Sequence, residues 1–274
     1  MSLKEALKSF VTDTSLGQGL YRRYVTLTTL TEWYARDRLK QILSSLPSDG
    51  ITNVLDAGAG FGQYVYLLGQ RKGVKVTALE LNGERVQSLE KGARLSGMEL
   101  NTIQGRLEDL QDQEQYELAI CLDVLEHIEQ DAEALAALHR GLRSGGVLLL
   151  GVPACPQKRI LPFMETLMDM EHDHGAEGHG HVREGYTLEG LSALLQQSGF
   201  HIEKTEYSYG WPGALAYEIF FALQHSPLVF LLGSWWYFAC LHPWMMALMW
   251  ADRMIPWNNG NGILVTARKE SHEG

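Results

Sequence analysis

The sequence predicts an α/β fold, a three-layer sandwich in which helices cover both faces of a mostly parallel sheet. Short apolar runs alternate with amphipathic stretches from residue 53 to residue 207. The runs are apolar on both alternations, which suits strands buried on two faces rather than strands with one wet side. A length of 274 residues, 45% of them hydrophobic, suits one large domain or a domain carrying one substantial insertion.

Each element has its own local cause. Leu20, Tyr24, Leu27, Leu30, Tyr34 and Leu39 recur at helical steps, so residues 20–46 read as a helix that Pro47-Ser48-Asp49-Gly50 ends. Strands are expected at Asn53–Leu55, Val74–Leu79, Asn101–Ile103, Leu118–Leu122 and Val147–Leu150, with helices at Arg85–Leu95 and Asp131–Leu142 between them. Gly145-Gly146 supplies a break before the fifth run. Thr187 is placed to cap a helix over Leu188–Ser198, and Gly199 to stop it. Phe200–Tyr207 and Gly262–Arg268 complete a set of seven strands.

A net charge of −10, with no run of Lys or Arg, opposes polyanions and sets nucleic acid aside as a partner. Cys121, Cys155 and Cys240 lie far apart with no CxxC pair; this is neither a disulfide framework nor a zinc pattern, and it suits a reducing cytoplasm. Lys4, Glu5, Lys8 and Asp13 interrupt any apolar leader, so no signal peptide is expected.

The sharpest signal is Val54-Leu55-Asp56-Ala57-Gly58-Ala59-Gly60-Phe61-Gly62, a strand that turns on glycines into a helix from about Gln63. Glycine lets backbone approach a ligand closely and take φ > 0. A nicotinamide-dinucleotide loop wants its third glycine where Gln63 stands, and Asp56 would repel a pyrophosphate. A ligand with ammonium and sulfonium charges tolerates that carboxylate.

Asp56-x-Gly58-x-Gly60-x-Gly62 resembles motif I of the class I (Rossmann-like) S-adenosylmethionine-dependent methyltransferases, small-molecule type. Further landmarks follow in that family's order. Val76–Glu80 resembles its second strand, Ile103–Leu110 its adenine-side segment, Tyr116–His127 its fourth strand and following loop, and Leu138–Gly146 its turn into the fifth strand. Arg106 departs from the pattern, standing where many relatives carry Asp. The likeness covers residues 50–155 closely and 180–209 loosely.

The resemblance implies a seven-stranded sheet with an antiparallel last strand and S-adenosylmethionine as cofactor, leaving S-adenosylhomocysteine. It implies cofactor contacts from Asp56, Gly58, Ala59, Gly60, Gly62, Glu80, Leu81, Leu107, Glu108, Leu122 and Asp123, with Glu80 accepting from the ribose hydroxyls. His127 is the candidate base for the acceptor, and His181, Arg183 and Trp211 are candidate pocket residues; His181 and Arg183 could equally anchor their loop, and His127 with Glu126 could serve only to pin theirs. The division expected is a helical cap over 1–47, a cofactor core over 48–209, an aromatic-rich helical lid over 210–261 and a final strand over 262–268.

Two segments invite other readings. Four of the ten histidines fall between His172 and His181, yet three glycines there fix no ligand geometry, and no metal is expected. From Ile219 to Ala251 there is no Asp, Glu, Lys or Arg, and six of the seven tryptophans lie beyond position 210. Pro227, Gly233 and Pro243 break that run, and the last strand must return to the same sheet, so short helices are expected in place of a transmembrane span. They would cover an apolar or aromatic acceptor, form a homodimer face or touch a membrane surface. Readings from other classes are a cofactor-binding interaction protein without catalysis and an NAD-dependent oxidoreductase.

Overall fold

The computed structural model describes residue 14 and residues 33–45, 53–69, 71, 73–164, 182–224 and 241–270. Seven strands form one sheet: β1 (Asn53–Ala57), β2 (Lys75–Glu80), β3 (Leu100–Gln104), β4 (Tyr116–Leu122), β5 (Leu142–Pro153), β6 (Phe200–Ser208) and β7 (Gly262–Lys269). Their order is β3-β2-β1-β4-β5-β7-β6. β1 to β5 run parallel to their neighbours, and β7 is antiparallel to both β5 and β6. β1 is therefore central, held by β2 on one side and β4 on the other, and its carboxyl end opens where the strand order reverses. In open α/β sheets such an edge is where ligands bind.

The alternation of the apolar runs divides the core in two. Leu55, Ala57, Leu148, Leu150 and Val265 face one side, under Leu135 and Leu138 of α4 (Asp131–Gly141) and Leu191 and Leu195 of α5 (Leu188–Gln197). Val54, Leu118, Ile120, Leu149 and Leu264 face the other. There they meet Leu39 of α1 (Trp33–Ser45), Val65 and Leu68 of α2 (Gln63–Leu68) and Leu89 of α3 (Gly83–Ser96). Asn82 caps α3 by accepting the Glu84 and Arg85 amides, and Thr187 caps α5 by accepting that of Gly190. Gly199, at φ 86°, follows α5 in the left-handed region where glycine carries no Cβ penalty.

Gly145-Gly146 departs from expectation by lying inside β5 rather than before it. The β4–β5 register shifts between Tyr116 and Leu118, and a Cβ on Gly146 would meet the Arg143 oxygen at 2.8 Å. The pair lets a strand irregularity close without ending the strand. The first predicted helix is described from Trp33 onward; residues 20–32 lie outside the described residues.

The insertion before β7 contributes α6 (Trp211–Gln224) and α7 (His242–Arg253), packed on each other. It is more than a flap, because Ala216, Met245 and Met249 complete the second core. Trp244 and Trp250 point the other way, 72% and 60% exposed. Its two ends are in contact: a Cβ on Gly210 would lie 2.1 Å from the Trp257 ring, and one on Gly213 2.4 Å from the Asp252 carboxylate. Trp235, Trp236 and Phe238 lie outside the described residues, and no helix among those described is long and apolar enough to cross a membrane.

Candidate functional site

The site begins where β1 stops. The Gly58 and Ala59 amides both donate to the Leu79 carbonyl, at 2.8 and 3.0 Å, so the turn is hooked onto the end of β2. Gly58 has φ 81°, and a Cβ there would stand 2.2 Å from Cγ2 of Val124. At Gly60, φ 53°, the nearest atom to an added Cβ is the Gly58 oxygen at 3.9 Å. One glycine is thus required by packing, and the other leaves open space beside the turn.

Glu80, 6% exposed at the end of β2, closes the cradle. Its Oε2 accepts the Gly60 amide at 2.8 Å, its Oε1 accepts the Asn82 amide at 2.9 Å, and Arg85 lies 3.8 Å from Oε1. Each carboxylate oxygen has a second lone pair, so the carboxylate holds the turn and can still accept hydroxyl donors. Leu81 is exposed next to it, and so is Phe61, whose ring carries the Arg85 guanidinium 5.2 Å from its centroid.

Asp56 is buried at the end of β1, and its Oδ2 has no hydrogen-bond partner. Burial pushes its carboxyl up to about 7, the Val65 amide opposes that shift, and the charge of Glu80 adds to it. An unsatisfied buried carboxyl oxygen is costly and calls for a cationic or hydrogen-donating ligand nearby. Open space at Gly60, two acceptor oxygens at Glu80, exposed apolar side chains at Phe61 and Leu81 and the orphaned oxygen of Asp56 suit a nucleoside bearing an amino-acid tail.

The third strand's segment is less favourable. Leu107 is buried in the core. Arg106, the departure noted in the sequence, takes the Glu108 carboxylate at 2.6 Å and engages it. Leu122 is half-buried at the end of β4, and Asp123 follows at φ 52°, its amide donating to the Gly151 carbonyl at 3.0 Å. A non-glycine residue held there is strained.

Glu126 is 1% exposed in the short 3₁₀ turn Leu125–His127, and its Oε2 has no partner. Burial raises its carboxyl, Asp123's charge raises it further, and Arg183 opposes the rise. Although one edge of Asp123 is open to solvent, the protein crowded round it raises that carboxyl as well. His127 is exposed beside them.

Arg183 anchors this loop. It donates to the Leu125 carbonyl, to Asp131 at 2.7 Å, to the Glu129 carbonyl and to the Tyr186 hydroxyl, while Tyr186 donates to Asp131 at 2.9 Å. Both groups spend their donors on the segment that carries Glu126 and His127. Trp211 is 60% exposed at the start of α6, and His181 lies outside the described residues together with the rest of the histidine segment. Among the described residues no group of three His, Cys, Asp or Glu could hold a metal ion. Phe61, Arg85 and the Arg183–Tyr186–Asp131 network went unread in the sequence. Phe61 carried a signal, as the aromatic between Gly60 and Gly62.

A methyltransferase domain family matches residues 26–205, about two thirds of the chain. Among curated proteins, a ubiquinone biosynthesis O-methyltransferase of Rickettsia canadensis (strain McKiel) is 27% identical over 97 residues, covering 35% of this chain and 41% of that one. The namesake of Rickettsia prowazekii (strain Madrid E) is 25% identical over 123 residues, 45% and 48% of the two chains. The chain thus spans less than half the length of these relatives. Among solved structures, an S-adenosylmethionine dependent methyltransferase from Mesorhizobium loti superposes with a TM-score of 0.55 at 18% identity, covering 86% of this chain and 97% of that one. The cyclase SpnF superposes equally, with a TM-score of 0.55 at 18% identity over 94% and 97%. At such identities these two report the fold.

Proposed function

The chain belongs to the methyltransferase domain family, whose cofactor is S-adenosylmethionine, and from that premise we propose that it methylates a hydroxyl of a small aromatic acceptor carrying apolar substituents. The observation that carries this reading is the Gly58–Gly62 turn locked to Glu80, with the orphaned Asp56 oxygen behind it. The cofactor supplies, when bound, an electrophilic methyl group on a sulfonium centre.

In this reading Glu80 accepts from the ribose hydroxyls while keeping the Gly60 and Asn82 amides, and Phe61 and Leu81 flank the base. Asp56, Leu122 and Asp123 face the amino-acid end. Arg183 and Tyr186 hold the Leu125–Asp131 loop, so that His127 stands ready to take the phenolic proton. Methyl transfer needs little beyond in-line positioning and exclusion of water, which together supply on the order of 7–11 kcal/mol in favourable intramolecular cases. The names of the Rickettsia relatives favour oxygen over nitrogen as the acceptor atom, and the apolar insertion favours an acceptor with a greasy substituent.

The outward face of α7 extends the proposal. Trp244 and Trp250 are exposed on a stretch that is uncharged up to Ala251, which suits a cytoplasmic enzyme meeting its acceptor at the surface of a neutral bilayer. Cosedimentation with phosphatidylcholine vesicles supports that contact; a dimer in solution with no vesicle binding replaces it with a second copy of the chain.

Turnover of S-adenosylmethionine with a panel of catechols, phenols and amines tests the reaction. Methylated catechol or phenol supports the reading, and methylation of amines alone overturns the oxygen acceptor. SpnF, a cyclase of the same fold, prompts a second reading in which this fold serves a chemistry other than methyl transfer. Tight binding with no methylated product from any acceptor class selects it.

A further inference from the structure

Glu218 is the last charged residue before the 33-residue uncharged run, and it is 1% exposed within an otherwise apolar α6. Its two oxygens accept two successive backbone amides from a different part of the chain. Oε1 takes Ile160 at 2.9 Å and Oε2 takes Leu161 at 2.7 Å. Both amides belong to a strap, residues 158–164, that follows β5. The same strap is gripped a second time from the far end of the insertion. Asn261 donates to the Lys158 carbonyl and accepts the Lys158 amide, each at 2.8 Å. Met164, at the strap's end, is fully buried.

The strap's position makes these contacts more than a tie between loops. β5 leaves the sheet beside the end of β4, where the Asp123 amide donates to Gly151. Ala154, three residues on from Gly151, bridges to Tyr186, which bonds the Asp131 of the His127 loop. Farther along the chain, the Val182 amide donates to the Glu126 carbonyl at 3.0 Å. The strap therefore starts at the sheet edge that carries the Leu125–His127 loop. Among the described residues, the bonds of the Gly58–Gly62 turn run to Leu79 and Glu80.

We propose that Glu218 is a positioning residue for the acceptor half of the site: from inside the insertion it fixes the strap that borders the acceptor, and it leaves the cofactor half alone. Two charge-assisted bonds from one buried carboxylate fix both the height and the direction of the strap. Contact between the two ends of the insertion, at Gly210–Trp257 and Gly213–Asp252, means that α6 cannot shift without α7. The insertion thereby sets acceptor geometry from behind the sheet's edge. The inference rests on the methyl-acceptor reading for its catalytic consequence, and on hydrogen bonding alone for the strap.

Glu218→Gln keeps the shape of the side chain, offers one acceptor in place of two and turns an N–H toward an amide donor. Three measurements on the full chain test it. Hydrogen exchange across 155–164 rises at least about tenfold, while exchange across 56–82 stays as it was. Calorimetric affinity for S-adenosylhomocysteine stays within about twofold. With 4-tert-butylcatechol as the probe, KM rises about tenfold while kcat stays within about threefold, the pattern of a lost binding wall. Asn261→Ala, which removes the second grip, gives the same pattern more weakly and carries the test should Glu218→Gln fail to fold. Unchanged strap exchange overturns the proposal, as does an equal loss of cofactor affinity or an unchanged KM with a loosened strap. Should the wild type turn over no catechol, the acceptor reading falls by itself, and exchange and cofactor affinity still decide whether Glu218 holds the strap.

Discussion

Around Asp56–Arg85 the site is held by backbone amides donated to Leu79 and to the Glu80 carboxylate, whereas around Asp123–Tyr186 it is held by side chains bonded to other loops. In the first region two turn amides reach Leu79, another reaches Glu80, and glycines occupy positions where a Cβ collides or a positive φ is needed. In the second, Arg183 and Tyr186 from the far side of β5 hold the Leu125–Asp131 loop, and Glu218 and Asn261 from the insertion hold the strap. In the proposed reading a constant ligand is served by a backbone turn tied to one carboxylate, and a variable acceptor by side-chain contacts that each span more than fifty residues of sequence.

The largest effect that would break this comparison is expected at Gly58. Gly58→Val places a branched side chain against Val124 at φ 81°, which strains the turn on both counts. The change is expected to abolish S-adenosylmethionine binding by calorimetry while circular dichroism shows a folded protein. Retained affinity would mean that the turn does not shape the cradle.

Next is a pH dependence. Asp56, raised to about 7 by burial, is half protonated near neutrality in the unliganded protein, and a cationic ligand must ionise it. Affinity for S-adenosylmethionine is therefore expected to increase roughly 25-fold from pH 5.5 to pH 7.5, with proton release on binding. Calorimetry in buffers of different ionisation heat measures that proton. The stability of the unliganded protein runs the other way. A carboxyl whose folded pKa is raised binds more protons folded than unfolded, so its contribution falls as pH rises from about 4 to about 7. Asp56→Asn is expected to flatten both dependences, and an unaltered pH profile in that variant would remove Asp56 from the cofactor's amino-acid end.

In the side-chain half, Arg183→Ala removes the donor that four groups share and is expected to cost roughly 1–3 kcal/mol of stability. Chemical denaturation measures that loss. Turnover is expected to fall more than cofactor affinity does, and an equal fall in both would erase the division between the halves. The smallest effect is expected on the outer face of α7, where Trp244→Ser with Trp250→Ser leaves Tm within about 2 °C and lowers vesicle binding. Unchanged vesicle binding in that double variant would direct attention to a face other than α7.

The sequence displayed the backbone half well, because its pattern is regular. The glycine turn between strand and helix and Glu80 at a strand end lie where the motif puts them, although they meet across 20 positions; Asn82, which caps the helix after Glu80, went unread. Gly145-Gly146 was harder, since a glycine pair that breaks a strand and one that bends it are written alike. Arg183 read as either a pocket or a loop-anchoring residue because its partners, Asp131 and the Leu125 and Glu129 carbonyls, lie more than fifty positions away. Glu218 went unread, although a lone acid in an apolar helix is a signal that a buried partner must exist. The aromatic insertion read as a lid, and only packing shows that Met245 and Met249 turn one face of it into core.

Calorimetric titration with S-adenosylhomocysteine, on the wild type and on Glu80→Ala, bears most directly on the central claim that the glycine turn and Glu80 form one cofactor cradle. The account predicts saturable binding by the wild type and a loss of about 100-fold in the variant, the cost of two hydrogen bonds to a charged acceptor. Wild-type protein that gives no heat with this nucleoside, or a Glu80→Ala variant that binds it equally well, would contradict it.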